Sequence, residues 1–147
     1  VAAVDYHGIA QAIAEVLRSD SRLYGVPVLV ESRVPMTDLQ AGFIGVMLRS
    51  RRATDGQPIA AGTRMRLEVA YEVWCYGYSL NDQAAGSYER RDELIGLVEL
   101  ILMANRDLRG SVNVLWLNGG EFESSQTDQG FLVGGSISVT VEVLATI

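Results

Sequence analysis

Between Thr63 and Tyr78 the chain alternates with a period of two. Met65, Leu67, Val69, Tyr71, Val73 and Cys75 fall on one side, and Arg64, Arg66, Glu68, Ala70 and Glu72 on the other. A strand with one apolar and one largely polar face needs this pattern. The preceding stretch Phe43–Arg52 (FIGVMLRSRR) is also rich in β-formers. It reaches the long strand through ATDGQPIAAG, in which Asp55-Gly56 and Pro58 are turn signals. Together they predict a long antiparallel hairpin with a connection of roughly ten residues, a length that in compact domains is often functional.

Two segments change period from two to 3.6. From Asp5 to Asp20, Ile9, Ile13, Val16 and Leu17 recur at helical spacing and Asp5 is placed to cap the first turn. From Asn81 to Asp107, with Asn81 or Asp82 as cap and Gly110 as terminator, Leu94, Ile95, Val98, Ile101 and Leu102 form a core stripe. Leu97, Leu100 and Met103 widen that stripe, so this helix is expected to be covered by its own sheet and by a neighbour.

Gly25 and Pro27 break the first helix. Val26, Val28 and Val30 then alternate as a short strand, and Pro35–Gly42 reads as a loop. Val112–Leu117 and Leu132–Ile147 are the last predicted strands. In the second, Ile137, Val139, Val141 and Val143 alternate with Ser136, Ser138, Thr140 and Glu142. Asn118–Gly130 between them is expected to be a polar, Gly-rich connection. The order α-β-β-β-α-β-β predicts one α+β domain over residues 1–147, an antiparallel sheet packed by an N-terminal helix and one long central helix.

Composition narrows the field. A chain of 147 residues, 48% hydrophobic, can bury about two-thirds of the surface it exposes when unfolded. Its apolar stretches are shorter than the ~20 residues of a membrane span, and no basic segment leads into an apolar run at the start, so an intracellular protein is expected. The net charge of −6 argues against sequence-nonspecific nucleic-acid binding, which needs cations to replace phosphate counterions. All 12 basic residues are Arg. A GC-rich genome explains that; so does a use of Arg for interfacial ion pairs.

Charge is unevenly placed. Arg49, Arg51, Arg52, Arg64 and Arg66 face Asp55 alone between positions 49 and 66, and are expected to lie together at one end of the hairpin. After Arg109 there is no base, while Glu121, Glu123, Asp128 and Glu142 are acidic. A chain with separated basic and acidic regions can pair with copies of itself head to tail; alternatively both segments are merely solvated.

Catalytic signals are weak. His7, the one histidine, has no nucleophile motif beside it and reads as a bystander. Cys75 lies on the apolar side of the long strand and reads as a core thiol. One Cys and one His do not make a zinc site of usual spacing. Glu121, Glu123 and Asp128 fit no calcium-loop pattern. Gly119-Gly120-Glu121-Phe122 is similar to the signature of diguanylate cyclases but lacks one acidic residue of it, and a Gly-Gly turn explains it. No phosphate-cradling glycine motif is present. Trp74, Tyr76 and Tyr78 share the polar side of the long strand and are expected to pack against a helix or loop rather than form a contact patch. No cofactor and no metal is expected.

In its order of elements the chain resembles the tail terminator (tail completion) proteins of long-tailed bacteriophages and related tail-like particles. The likeness is carried by the first helix running into SDSRLYGVPVLVE and by the strand pair around RSRRATDGQPIAAGTRMRLEVAYEVWCYGYS. It continues through the helix YERRDELIGLVELILMANRDLRG and two closing β segments, and so covers nearly the whole chain. The resemblance implies a non-enzymatic virion protein that forms a closed ring of subunits, six in that family. The ring caps the tail tube, meets the head-tail connector with its other face, and lets DNA pass without specific binding. On this view the subunit or partner contacts fall to Arg49, Arg51, Arg52, Arg64, Arg66, Glu121, Glu123 and Asp128. The alternatives are a tail-tube or connector subunit of the same particle, or a small-molecule-binding domain.

Overall fold

The computed structural model describes residues 4–31, 42–53, 64–80, 84–126 and 130–146. The Asp5 carboxylate accepts a hydrogen bond from the Gly8 amide at 2.9 Å and so starts helix α1, Tyr6–Arg18. Its inward side buries Ile9, Ala10, Ile13, Ala14, Val16 and Leu17. Asp20 then caps a 3-10 turn, Ser21–Leu23, and its carboxylate also takes two bonds from the Arg22 guanidinium, both 2.9 Å.

Strand β1 (Val28–Val30) lies beside β2 (Phe43–Ala53), which pairs with β3 (Arg64–Leu80). Helix α2 (Ala84–Ala104) follows, then β4 (Val114–Leu117), β5 (Phe122–Gln126) and β6 (Gly130–Thr146). The sheet order is β1-β2-β3-β6-β4, with β5 also on β6. β3 and β6 pair over all 17 residues of each strand, from Arg64↔Thr146 to Leu80↔Gly130. The α+β class, with an N-terminal and a central helix, is as expected. The ten-residue hairpin connection (all but Ala53), the Pro35–Gly42 loop (all but Gly42) and the caps Asn81 and Asp82 lie outside the described residues.

The sheet departs from the expected one in two places. β1 runs parallel to β2, with Val28↔Ile44 and Val30↔Val46 in register, whereas the other pairs are antiparallel. Residues 31–42 separate the two strands, about the dozen that a parallel crossover needs. The supposed connection Asn118–Gly130 contains a strand, Phe122–Gln126. Asn118 N donates to Ser138 O at 2.9 Å, Ser138 N to Gly119 O at 2.6 Å and Ser136 N to Glu121 O at 2.8 Å, so the ladder of β4 runs on into β5. Leu117 pairs with Val139 and Phe122 with Gly135, which leaves one extra residue on the β4–β5 side, a bulge. Gly119 takes φ +81 there, and a Cβ on Gly120 would sit 1.7 Å from the Ser136 carbonyl oxygen. The Gly-Gly pair is therefore required by the bulge.

Both helices cover the same side of the sheet. Leu67, Val69, Tyr71, Val73 and Cys75 of β3 join Ile137, Val139 and Val141 of β6 in one cluster with Ile13 and Leu17 of α1 and Leu94, Val98 and Leu102 of α2. The first turn of α2 presses on β3 so closely that a Cβ on Gly77 would lie 2.1 Å from the Ser87 oxygen. α2 ends at Ala104, earlier than expected; Leu108, Arg109 and Gly110 then take positive φ (49, 58 and 89°) in a series of turns that buries Leu108.

Candidate subunit interface

Seen from the side away from the helices, the strands carry rows of charge. Arg52 donates from Nε to Glu68 on the neighbouring strand at 2.7 Å, and Glu68 faces Glu142 across the β3–β6 pair. Arg49 reaches Glu72 at 3.2 Å. Arg66, exposed, stands opposite Leu144. Arg51 is different. A register shift between Leu48 and Ser50 places Arg51 beside Val69, and its guanidinium donates to the Tyr6 hydroxyl at 2.6 Å and lies 5.3 Å from that ring's centroid. The arginines thus lie at one end of the β2–β3 pair, as expected, but on two sides of the sheet, and the bulge puts Arg52 rather than Arg51 on the side of Arg49. Arg64 opens β3 opposite Thr146.

Glu121 and Glu123 sit at the other edge of the sheet, on the β4–β5 strand. Glu123 accepts from the Tyr76 hydroxyl at 3.4 Å, and the Glu121 amide donates to Ser136 Oγ at 2.9 Å. Asp128 lies outside the described residues. The row holding Arg52 crosses β3 at Glu68, and the row holding Glu123 crosses it at Tyr76. Eight residues along and three strands across put the two groups roughly 30 Å apart. They cannot pair within one chain.

Trp74 and Tyr76 do not pack under a helix. They lie on the sheet side opposite both helices, half-buried, where Tyr76 stacks on Phe43 (centroids 4.5 Å apart) and on Trp74 (5.8 Å), and Trp74 Nε1 donates to Glu72. Burial, and then the Glu123 charge, push the Tyr76 phenol up to about 12. Burial raises Tyr71 further; its hydroxyl donates to the Tyr6 carbonyl at 2.7 Å and ties α1 to the sheet.

The chemical candidates stand apart. His7 is exposed, 3.2 Å from Gln11 Nε2 and 3.5 Å from a Glu31 oxygen. Cys75 is buried, and its thiol is pushed up to about 12 by that burial and secondarily by Glu99. Among the described residues no group of three or more His, Cys, Asp or Glu could hold a metal ion, and no helix is long and apolar enough to cross a membrane.

Sequence reasoning missed Phe122, a residue that is 68% exposed. It stands beside a cleft of about 240 Å³ between α2 and the β4–β5 bulge, lined by Ile95, Glu99, Leu117 and Ile137. Its sequence signal was a large apolar residue flanked by two glutamates. On α2, Leu100 is 61% exposed and Met103 is exposed too, while Leu97 is half-buried. No protein-family model matches the chain, and no curated protein is significantly similar to it in sequence.

Proposed function

We propose that this protein is a non-enzymatic structural subunit, a tail terminator that assembles into a ring, closes the end of a phage-type tail tube and presents its other face to the head-tail connector. The observation that carries the reading is the separation of charge: a sheet with arginines at the free end of β2 and glutamates on the opposite edge strand. Groups of opposite sign that cannot meet within one molecule favour contact between unlike patches of two copies, and such head-to-tail contacts close into rings or run on as filaments. The exposed Leu100 and Met103 on α2 agree with a subunit that buries more surface on assembly. The resemblance in element order supplies the particular place, the tail and neck of a virion, with DNA passing through the ring and no residue dedicated to binding it.

Mass photometry of the purified chain, alone and with tail tubes, tests this. Six copies of 16.0 kDa are expected as a discrete species of about 96 kDa that decorates tube ends. Unlimited polymers would move the assignment to a tube subunit. A strict monomer that never appears at a tube end would overturn it.

A further inference from the structure

The β4–β5 edge offers more than charge. Phe122 projects on the helix side, where one flank of its ring is covered by the Arg91 guanidinium at 4.6 Å, itself paired with Asp92 at 2.9 Å. Gly135, directly across the ladder, has no side chain; a Cβ there would come within 2.4 Å of Ile95 Cδ1 and 3.1 Å of the Phe122 ring. The ring therefore stands at the mouth of the cleft lined by Ile95, Leu117 and Ile137, with Glu99 on its wall and Glu121 and Glu123 on either side in sequence. An exposed aromatic beside an apolar recess, with the Glu99 carboxylate on its wall and the neighbouring cation, Arg91, already paired with Asp92, has the make-up of an interface anchor.

The complementary surface is on the same chain. Met47 and Leu144 are exposed on the side away from the helices, as are Arg49, Arg52 and Arg66, while Leu48 is exposed on the helix side of the free edge of β2, where Arg51 also lies. Arg52 is 77% exposed in its bond to Glu68, so its guanidinium can exchange that partner for another carboxylate at little cost.

Resting on the ring-forming reading above, we infer that the cleft between α2 and the β4–β5 bulge, with Phe122 at its mouth, receives the basic free end of β2 and β3 from a second copy of this chain. Like edges repel, acid against acid and base against base, so the charges select the head-to-tail arrangement over a two-fold dimer.

Two variants separate the halves of the contact. Phe122→Ala breaks the acceptor and leaves the arginines intact; Arg51→Gln with Arg52→Gln breaks the donor and leaves the cleft intact. Circular dichroism checks that each is folded, and sedimentation velocity reads assembly. Each variant alone is expected to assemble at least tenfold more weakly than the wild type. Mixed, they are expected to form a dimer and nothing larger, since only one productive contact remains. A second acceptor variant, Glu99→Arg with Glu121→Arg, tests the same surface without touching the apolar wall and is expected to behave as Phe122→Ala does. Wild-type rings together with undiminished assembly by both acceptor variants would overturn this assignment and leave the ring-forming reading standing. A wild-type chain that remains monomeric with or without tail tubes would overturn both.

Discussion

The two sides of β3 are built from alternate residues of one strand, yet they obey different rules. Leu67, Val69, Tyr71, Val73 and Cys75 are fully buried beneath the helices. Arg66, Glu68, Glu72, Trp74 and Tyr76 occupy the other side, exposed or half-buried, with carboxylates bonded to arginines of β2 and rings stacked on one another. The first side gains from removing apolar area from water, and the gain is lost when atoms are removed. The second holds ion pairs in high dielectric, each worth little. A period of two thus gives the domain a surface that holds it together and another whose groups are free to change partners.

The largest test of this difference lies on α2, which carries both kinds of position. Leu94 is completely buried and Leu100 is 61% exposed. Leu94→Ala is expected to cost about 2–5 kcal/mol, the lost transfer energy plus a cavity, while Leu100→Ala changes monomer stability by less than about 0.5 kcal/mol. Urea denaturation of both variants at low protein concentration measures it. Equal losses would show that α2 is not packed on one side only.

How much of this could be read from the sequence follows from the same contrast. Thr63–Tyr78 was legible because its two sides differ in polarity, and α1 because Asp5 caps a run with one apolar side. The β5 segment was not: FESSQ has a single large apolar residue and exposed side chains throughout its described part, so it carries no alternation and looks like a loop. It is held by backbone bonds to β6, which residue type does not report. The arginines do gather at one end of the β2–β3 pair, but which of them share a side was hidden for a related reason. Alternation gives the side a residue occupies only while register holds, and the shift after Leu48 moves Arg51 to the helix side. The end of α2 was overrun because Leu108 continues its apolar spacing, although it reaches the core through turns at positive φ. Of the candidate interface, the charges were visible and Phe122 was not, since its role depends on Gly135 across the ladder.

Alkaline pH sharpens the contrast on the buried side. Burial raises the Cys75 thiol from 9.0 to about 12, so the folded chain holds that proton more tightly than the unfolded chain does. The stabilisation is complete below the unfolded value near 9.0 and is lost as pH rises through about 12. Urea midpoints are therefore expected to fall across that window, and Cys75→Ala to flatten part of the fall. Below it, the native thiol is expected to react with a disulfide reagent at least tenfold more slowly than the urea-unfolded chain. Rapid labelling of the native protein would place Cys75 outside the core.

The smallest effect is expected on the wet side, at Arg52. Its bond to Glu68 is short, 2.7 Å, but the guanidinium is largely in solvent, so Arg52→Ala is expected to cost less than about 1 kcal/mol in the monomer. Reversal is a different experiment. Glu68 stands directly opposite Glu142, and Arg52→Glu would complete a row of three carboxylates across β2, β3 and β6. Like charges directly opposite are destabilising, by up to about 1 kcal/mol per pair, so Arg52→Glu is expected to be less stable than Arg52→Ala, and 1 M salt to narrow the gap. Thermal melts of the two variants at low and high salt resolve this. If Arg52→Ala alone cost as much as Leu94→Ala, the ion-pair rows would have to be counted among the elements that hold the fold, and the division of labour between the two sides of β3 would fail.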